Sequence, residues 1–177
     1  MDTGDLDGSI ADYREALGLD PTNSTVYCNL CRVKTLKNDF AGALADCQQA
    51  IKLNPDNVIA YDNRGFMKAL TQDTVGAVED FEKVLKLNPN FPNSLHNLAA
   101  FRHAEKMDSD AEQLYKRLIV VLEHDKQIAL PQRILYLEDY VKFMRDIGKR
   151  EEAEKIEEQI RSLTIQKRST PSAPTAG

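Results

Sequence analysis

The residues of this chain that could carry chemistry by type are its three cysteines and its three histidines. Cys28 and Cys31 form a C-x-x-C pair, a spacing that can hold zinc or form a redox couple. The pair lies within a predicted helix, and only Cys47 follows it. We therefore predict reduced thiols in the core of a protein from a reducing compartment, with the zinc knuckle and the redox pair as alternatives.

The spacing of the histidines does not predict a catalytic or metal-binding group. His96 and His103 could share a helix face, whereas His124 is distant from both in the sequence. No serine, cysteine or carboxylate is placed to complete a catalytic triad or a metal site, and the sequence has no glycine-rich phosphate-binding loop. The sequence predicts a protein that is not an enzyme and that needs no metal and no cofactor.

Composition and charge exclude further classes of function. The chain has 177 residues, 42% hydrophobic and 29% charged, with a formal net charge of −5 and a pI near 5.3. This charge argues against nucleic acid as a partner, because binding to phosphate needs a dense positive surface. The longest apolar run, Leu118 to Leu122, is far shorter than the ~20 residues of a membrane span. The acidic start does not resemble a secretory signal, so we predict a cytoplasmic protein with no membrane partner.

The elements that position these residues follow from a repeat with a period of about 34 residues, a length found in helical repeat proteins. A Leu-Asp-Pro or Leu-Asn-Pro tripeptide returns at this spacing, preceded each time by a small residue, a bulky residue and a leucine or isoleucine at fixed distances. A proline ends a helix, and a fixed period of this size predicts stacked helical hairpins. The tripeptides end at Pro21, Pro55 and Pro89, and the residues that agree are Ser9, Ala43 and Ala77, then Tyr13, Cys47 and Phe81, then Leu17, Ile51 and Leu85.

This pattern resembles the tetratricopeptide repeat, a helix-turn-helix unit of about 34 residues. The best copies are residues 24–57, with Tyr27 and Ala43, and residues 58–91, with Gly65. The resemblance covers about nine tenths of the chain. It implies an all-α fold, a right-handed α-solenoid of antiparallel helix hairpins, in a family that has very many functions.

The rest of the chain follows the repeat less closely. Residues 1–22 correspond to the second helix of a repeat, and residues 92–125 form a repeat with a degenerate end, with Glu123 in place of proline. After an insertion of about eight residues, residues 131–163 are predicted to form a capping helix pair with a polar outer face. Residues 164–177 are rich in serine, threonine and proline and are predicted to be a disordered tail.

The half repeat at the start leaves an apolar stripe with only one helix to pack on. Its residues are Ile10, Tyr13 and Leu17, which in a full repeat would contact two helices. Three explanations stay open: further repeats precede Met1 in a longer protein, the helix tolerates the exposure, or another chain covers these residues at an N-terminal interface.

Asparagine recurs at the sixth position of the first helix of each repeat, as Asn29, Asn63 and Asn97. An amide can bond both the donor and the acceptor of a peptide backbone. The recurrence resembles the asparagine ladder of O-linked N-acetylglucosamine transferases, which implies that an extended peptide lies along the concave groove. In the alternative interpretation, the amides cap or bridge adjacent first helices, or merely tolerate exposure.

Further residues are predicted to line the same groove, namely Arg32, Asp62, Phe66 and His96. The fold also resembles chaperone-binding modules of the carboxylate-clamp type. Of the five clamp positions, only the asparagine at Asn63 matches that pattern. The C-terminal tail of a chaperone is therefore not the ligand that we predict. The clamp positions hold Cys28, Arg32, Asn63, Asn93 and Asn97.

Two classes of function follow from this interpretation. The first is a non-catalytic interaction module, an adaptor or assembly factor, that binds an extended peptide or a helix of a partner protein in the groove. The second is a structural scaffold component that packs into a larger complex or filament through its convex face or its first helix.

Overall fold

The computed structural model describes residues 5–169, and within this range the chain forms nine α-helices and no strand. The predicted all-α architecture of paired helices is confirmed. The helices are α1 Leu6–Leu19, α2 Ser24–Leu36, α3 Phe40–Leu53, α4 Val58–Leu70, α5 Thr74–Leu87, α6 Pro92–Ala104, α7 Asp108–His124, α8 Leu130–Asp146 and α9 Arg150–Ser169.

Aspartate and asparagine side chains begin the first five helices. Asp39, for example, accepts a hydrogen bond from the Gly42 N–H at 3.0 Å, and Asn57 accepts one from the Ala60 N–H at 3.1 Å. Such caps satisfy backbone donors that have no partner within the helix. The caps are Asp5, Asn23, Asp39, Asn57 and Asp73.

A turn of one geometry links α2 to α3, α4 to α5, α6 to α7, and α8 to α9. Each turn holds one residue in the left-handed region, and the next N–H donates to the carbonyl five residues earlier at 2.8–2.9 Å. The first three left-handed residues are 34 apart and the fourth follows after 42, which agrees with the predicted insertion of about eight residues. The residues and their φ angles are Asn38 (60°), Gln72 (64°), Lys106 (64°) and Gly148 (82°).

The chain divides into two compact units, Met1–Phe101 and Arg102–Gly177. In the first, α2 pairs with α3 and α4 with α5, while α1 packs on α2 and α3 packs on α4. In the second, α8 pairs with α9, and three aromatic rings from α7 and α8 lie in contact. These rings belong to Tyr115, Tyr140 and Phe143.

The last helix corrects the predicted start of the disordered tail at residue 164, because α9 continues to Ser169. The added residues include glutamine, lysine and arginine, which are good helix formers, and the next proline is Pro171. Residues 170–177 of the predicted tail lie outside the described residues. No helix between residues 5 and 169 is long and apolar enough to cross a membrane.

Two of the three cysteines form a disulfide bond, which corrects the prediction of three reduced thiols. Cys31 of α2 and Cys47 of α3 are bonded, with their Cα atoms 5.4 Å apart across the hairpin. Cys28 is free and buried, and burial raises the pKa of its thiol to about 11. The cytoplasmic location stays a prediction, and the disulfide does not favour it, because reducing compartments keep thiols reduced.

Candidate functional site

We define the groove face as the surface of α2, α4 and α6 that carries Asn29, Asn63 and Asn97. All three side chains are half-buried, so each is only partly accessible. The face is continuous within the first unit, because α2 packs on α4 and hydrogen bonds join α4 to α6. The three recurrent amides therefore lie at equivalent positions of three neighbouring helices.

The amide of Asn63 already joins two of these helices. Its Nδ2 donates a hydrogen bond to the Cys28 carbonyl at 3.0 Å. This contact is the bridging role that the alternative interpretation assigned to the recurrent asparagines. It uses one N–H of the amide, and an amide has a second N–H and a carbonyl oxygen for other partners.

Asp62 lies in the contact between α4 and α6 and is buried, so it does not offer an exposed carboxylate to a groove ligand. The Ser94 hydroxyl donates to its Oδ1 at 2.7 Å, and the Asn93 amide donates to its Oδ2 at 3.2 Å. Burial raises the pKa of Asp62, while these two hydrogen bonds oppose the rise. The contribution of Asp62 is to hold α6 against α4.

An exposed strip of apolar side chains lies beside the amides. On α4, Ile59, Phe66 and Leu70 share the face of Asn63, and the Phe66 side chain is 45% exposed. Leu36 of α2 is exposed at the position that matches Leu70, one repeat earlier. We call Leu36, Ile59, Phe66 and Leu70 the apolar strip. Its two leucines were missed from the sequence, where their shared spacing was the available signal.

Two groove residues remain. Arg32 of α2 is exposed one turn before Leu36, at the position that matches Phe66 one repeat later. His96 of α6 is half-buried beside Asn97.

The predicted N-terminal interface is only partly accessible. Ile10 is buried against Leu30 and Val33 of α2 and belongs to the core, and the interface predicted at this helix stays a prediction. Tyr13 and Leu17 are half-buried and pack against the same cluster. Ile10 is covered because α1 packs closely on α2.

One of the three histidines, His103, contacts a carboxylate and an aromatic ring. His103 places its Nδ1 2.7 Å from a carboxylate oxygen of Asp108, and its ring packs edge-on against Phe143 with centroids 5.0 Å apart. Among residues 5–169, no group of three or more potential ligand side chains could hold a metal ion.

The family model that matches the chain is the tetratricopeptide repeat, over residues 1–23 and 24–57. No match was found among curated protein sequences.

Several solved structures share the fold. A crystal structure of MamA is 19% identical, with a TM-score of 0.72 over 94% of this chain and 93% of that one. PilF of Pseudomonas aeruginosa is 22% identical, with a TM-score of 0.69 over 86% of this chain and 66% of that one. The first TPR domain of Spaghetti (RPAP3), bound to the HSP90 peptide SRMEEVD, is 30% identical, with a TM-score of 0.55 over 58% of this chain and 82% of that one.

Proposed function

Because the chain belongs to the tetratricopeptide repeat family, we propose that it is a protein-interaction module whose groove face binds an extended peptide or a helix of a partner protein. Proteins of this family generally mediate protein–protein interactions and are generally non-catalytic. The proposed role is that of an adaptor or assembly factor without an activity of its own.

The observation that carries the proposal is the apolar strip beside the recurrent amides. Phe66 is 45% exposed although it is a large aromatic residue, and Leu70 is exposed one turn further along α4. Contiguous exposed apolar side chains mark interaction sites, and aromatic anchors contribute most of the binding energy of many interfaces. The strip therefore supplies affinity for an apolar side chain of the ligand.

The amides supply the polar part of the same recognition. Asn29 and Asn97 flank Asn63 on the neighbouring helices, so a ligand that crosses the helices meets an amide on each of them. An amide can hold the N–H or the carbonyl of a peptide backbone without selecting its side chains. Selectivity then comes from the apolar strip and from the exposed Arg32 on α2.

This chemistry differs from the binding of an acidic chaperone tail. The RPAP3 domain is bound to such a peptide, but only Asn63 matches the clamp pattern in this chain, and its amide bonds the Cys28 carbonyl. We therefore expect the preferred peptide to carry a bulky apolar residue rather than a carboxyl-terminal acidic pair.

The test uses random peptides displayed on phage, selected on the whole chain and then measured singly by fluorescence anisotropy. Phe66→Ala should weaken the selected peptides by about 30-fold, the effect of losing an interface anchor worth about 2 kcal/mol. Val75→Ala is the matched control, because Val75 is also exposed but lies on α5. Equal affinities for the two variants, or a failure to select any peptide, would reject the groove face as the binding site.

The scaffold alternative needs a surface outside the groove face. The observation that favours such a surface is Leu19 of α1, which is 87% exposed.

A further inference from the structure

We infer that the ligand of the groove face is one amphipathic α-helix of a partner protein, which lies lengthwise along α4 and carries an acidic side chain. The inference rests on the proposed function, because it chooses between the extended peptide and the helix as the ligand of the same face. The surface that it concerns is one side of α4. We call this side the α4 ridge, and its residues are Ile59, Asn63, Phe66 and Leu70.

The α4 ridge has the spacing of a surface on which a second helix packs. Its residues follow one another at intervals of four, three and four, so they lie along one side of α4 over about 16 Å. Ile59, Phe66 and Leu70 are 47%, 45% and 51% exposed. A partner helix with apolar residues at the same intervals would place its side chains between these three.

The repeat itself does not require these apolar side chains. At the position of Ile59, α2 has a threonine and α6 has an asparagine. At the position of Phe66, the same helices have an arginine and an exposed alanine. A side chain that served the packing of the repeat would be apolar in each copy. Both neighbours of α4 on this face, α2 and α6, are present, so the exposure of the ridge does not follow from a missing neighbour.

The direction of the ridge favours a helix over an extended peptide. An extended peptide that crossed the helices at the level of Phe66 would meet one bulky apolar side chain, between Arg32 and Ala100. An extended peptide that ran along α4 would leave most of its backbone N–H and C=O groups over apolar side chains, where they find no partner. A helix bonds these groups internally, so it can bury apolar side chains against the ridge without this cost.

The charge beside the ridge specifies the partner helix further. Among the described residues of α2, α4 and α6 before residue 102, Arg32 is the one exposed charged side chain. It stands on α2 at the level of Phe66. Asp5 and Asp12 of α1 line a crevice with Arg32, but no carboxylate of residues 5–169 forms an ion pair with it. The other cations of these helices pair with aspartates of the second helices, Lys34 with Asp46, and Arg64 and Lys68 with Asp80. The partner helix should therefore present a glutamate or aspartate beside the residue that contacts Phe66.

The experiment uses the whole chain and random peptides displayed on phage that are long enough for four helical turns. The selected peptides are synthesised, and circular dichroism with and without the chain shows whether each becomes helical when it binds. We expect a gain in helical signal and apolar residues spaced by three and four. Proline in place of a central residue should weaken binding at least about tenfold, whereas alanine at the same place should not.

Variants of the chain test the direction in which the ligand lies. Ile59→Ala and Leu70→Ala should each weaken binding about fivefold in fluorescence anisotropy, because about half of each side chain is exposed and becomes buried in the complex. Asn97→Ala is the matched control and should leave the affinity unchanged. Its amide lies on α6, where only a ligand that crosses the helices would reach it.

A charge exchange tests the acidic side chain. Arg32→Glu should weaken peptides that carry the acidic residue about tenfold, and should strengthen the binding of their variants in which lysine replaces it. Lys52→Glu is the matched control, because Lys52 is exposed on α3 and its replacement changes the net charge equally.

Four outcomes would overturn the inference: selected peptides that bind without becoming helical, a loss in Asn97→Ala as large as in Ile59→Ala and Leu70→Ala, equal effects of the two charge changes, or a dimer in sedimentation that Phe66→Ala dissociates. The first three leave the groove face as the binding site, whereas a failure to select any peptide rejects the proposed function and the inference with it. Circular dichroism of each variant alone shows that it is folded.

Discussion

Replacing Gly65 with alanine should destabilise the protein, although alanine is the better helix former. Gly65 lies in the interior of α4, where the change from glycine to alanine gains about 1 kcal/mol of helix propensity. The added Cβ would stand 2.8 Å from Cε1 and 3.1 Å from Cδ1 of Phe81, and 3.2 Å from the Asp80 Cβ. The added Cβ would thus press against the edge of the Phe81 ring, and the ring or the helix would have to move to relieve the contact.

The surrounding structure leaves little room for that movement. Phe81 is 0% exposed, and Asp80 is held by ion pairs with Arg64 and Lys68 of the same helix as Gly65. Overpacking of a filled core costs about 1–3 kcal/mol. Since the ring and the carboxylate are both fixed, we take the upper end, which leaves a net loss of about 1–2 kcal/mol after the gain in propensity.

Urea unfolding followed by circular dichroism measures this loss, and Gly18 provides the control. Gly18 also lies in a helix, but a Cβ there would meet nothing within 4 Å, so Gly18→Ala should stabilise the chain by up to about 1 kcal/mol. Phe81→Leu, which shortens the side chain at the contact, should make Gly65→Ala less harmful. If Gly65→Ala stabilised the chain as much as Gly18→Ala does, the packing argument would be refuted.

Two further predictions concern the disulfide and the buried carboxylate. Reduction of the disulfide should lower the free energy of unfolding by about 3 kcal/mol, because the bond joins residues that are 16 apart, and the urea midpoint should be lower with reductant than without it. Alkylation of the unfolded, unreduced chain should label Cys28 alone. Labelling of all three cysteines would contradict the disulfide. Because the pKa of Asp62 is raised in the folded state, the stability that this carboxyl group contributes falls as the pH rises from 3.8 through the folded-state value. The urea midpoint of Asp62→Asn should therefore rise relative to that of the wild type over this range. A constant difference between the two midpoints would contradict that cause.

The helices were predictable because each boundary has a local cause. The sequence predicts a helix-turn-helix repeat at residues 24–57, and the structure has its second helix at Phe40–Leu53. Asp39 caps its start, and its end precedes Pro55, so the chain within a few residues determines both limits. The insertion before α8 was predictable for the same reason, since it changes a count along the chain.

The site was less predictable because its residues depend on what lies across the helices. Asn63 and Asp62 are polar residues on a predicted groove, yet both form hydrogen bonds to neighbouring helices. These contacts depend on distances in space between helices, which the sequence pattern does not give. The spacing of Cys31 and Cys47 predicted that both lie in the core, but a sequence does not distinguish a free thiol from a disulfide-bonded cysteine. The burial of Ile10 likewise follows from how closely α1 approaches α2.

The four turns between paired helices have one backbone shape but unequal conformational strain. Gly148 adopts its φ of 82° freely, whereas Asn38, Gln72 and Lys106 hold a side chain in a region that disfavours it by about 1–2 kcal/mol for most residues. Asparagine tolerates this region best, so most of the stored strain lies at Gln72 and Lys106. Both are exposed and stand outside the helices that form the groove face. Glycine at these two turns should therefore stabilise the chain and leave the proposed binding surface on the groove face unchanged.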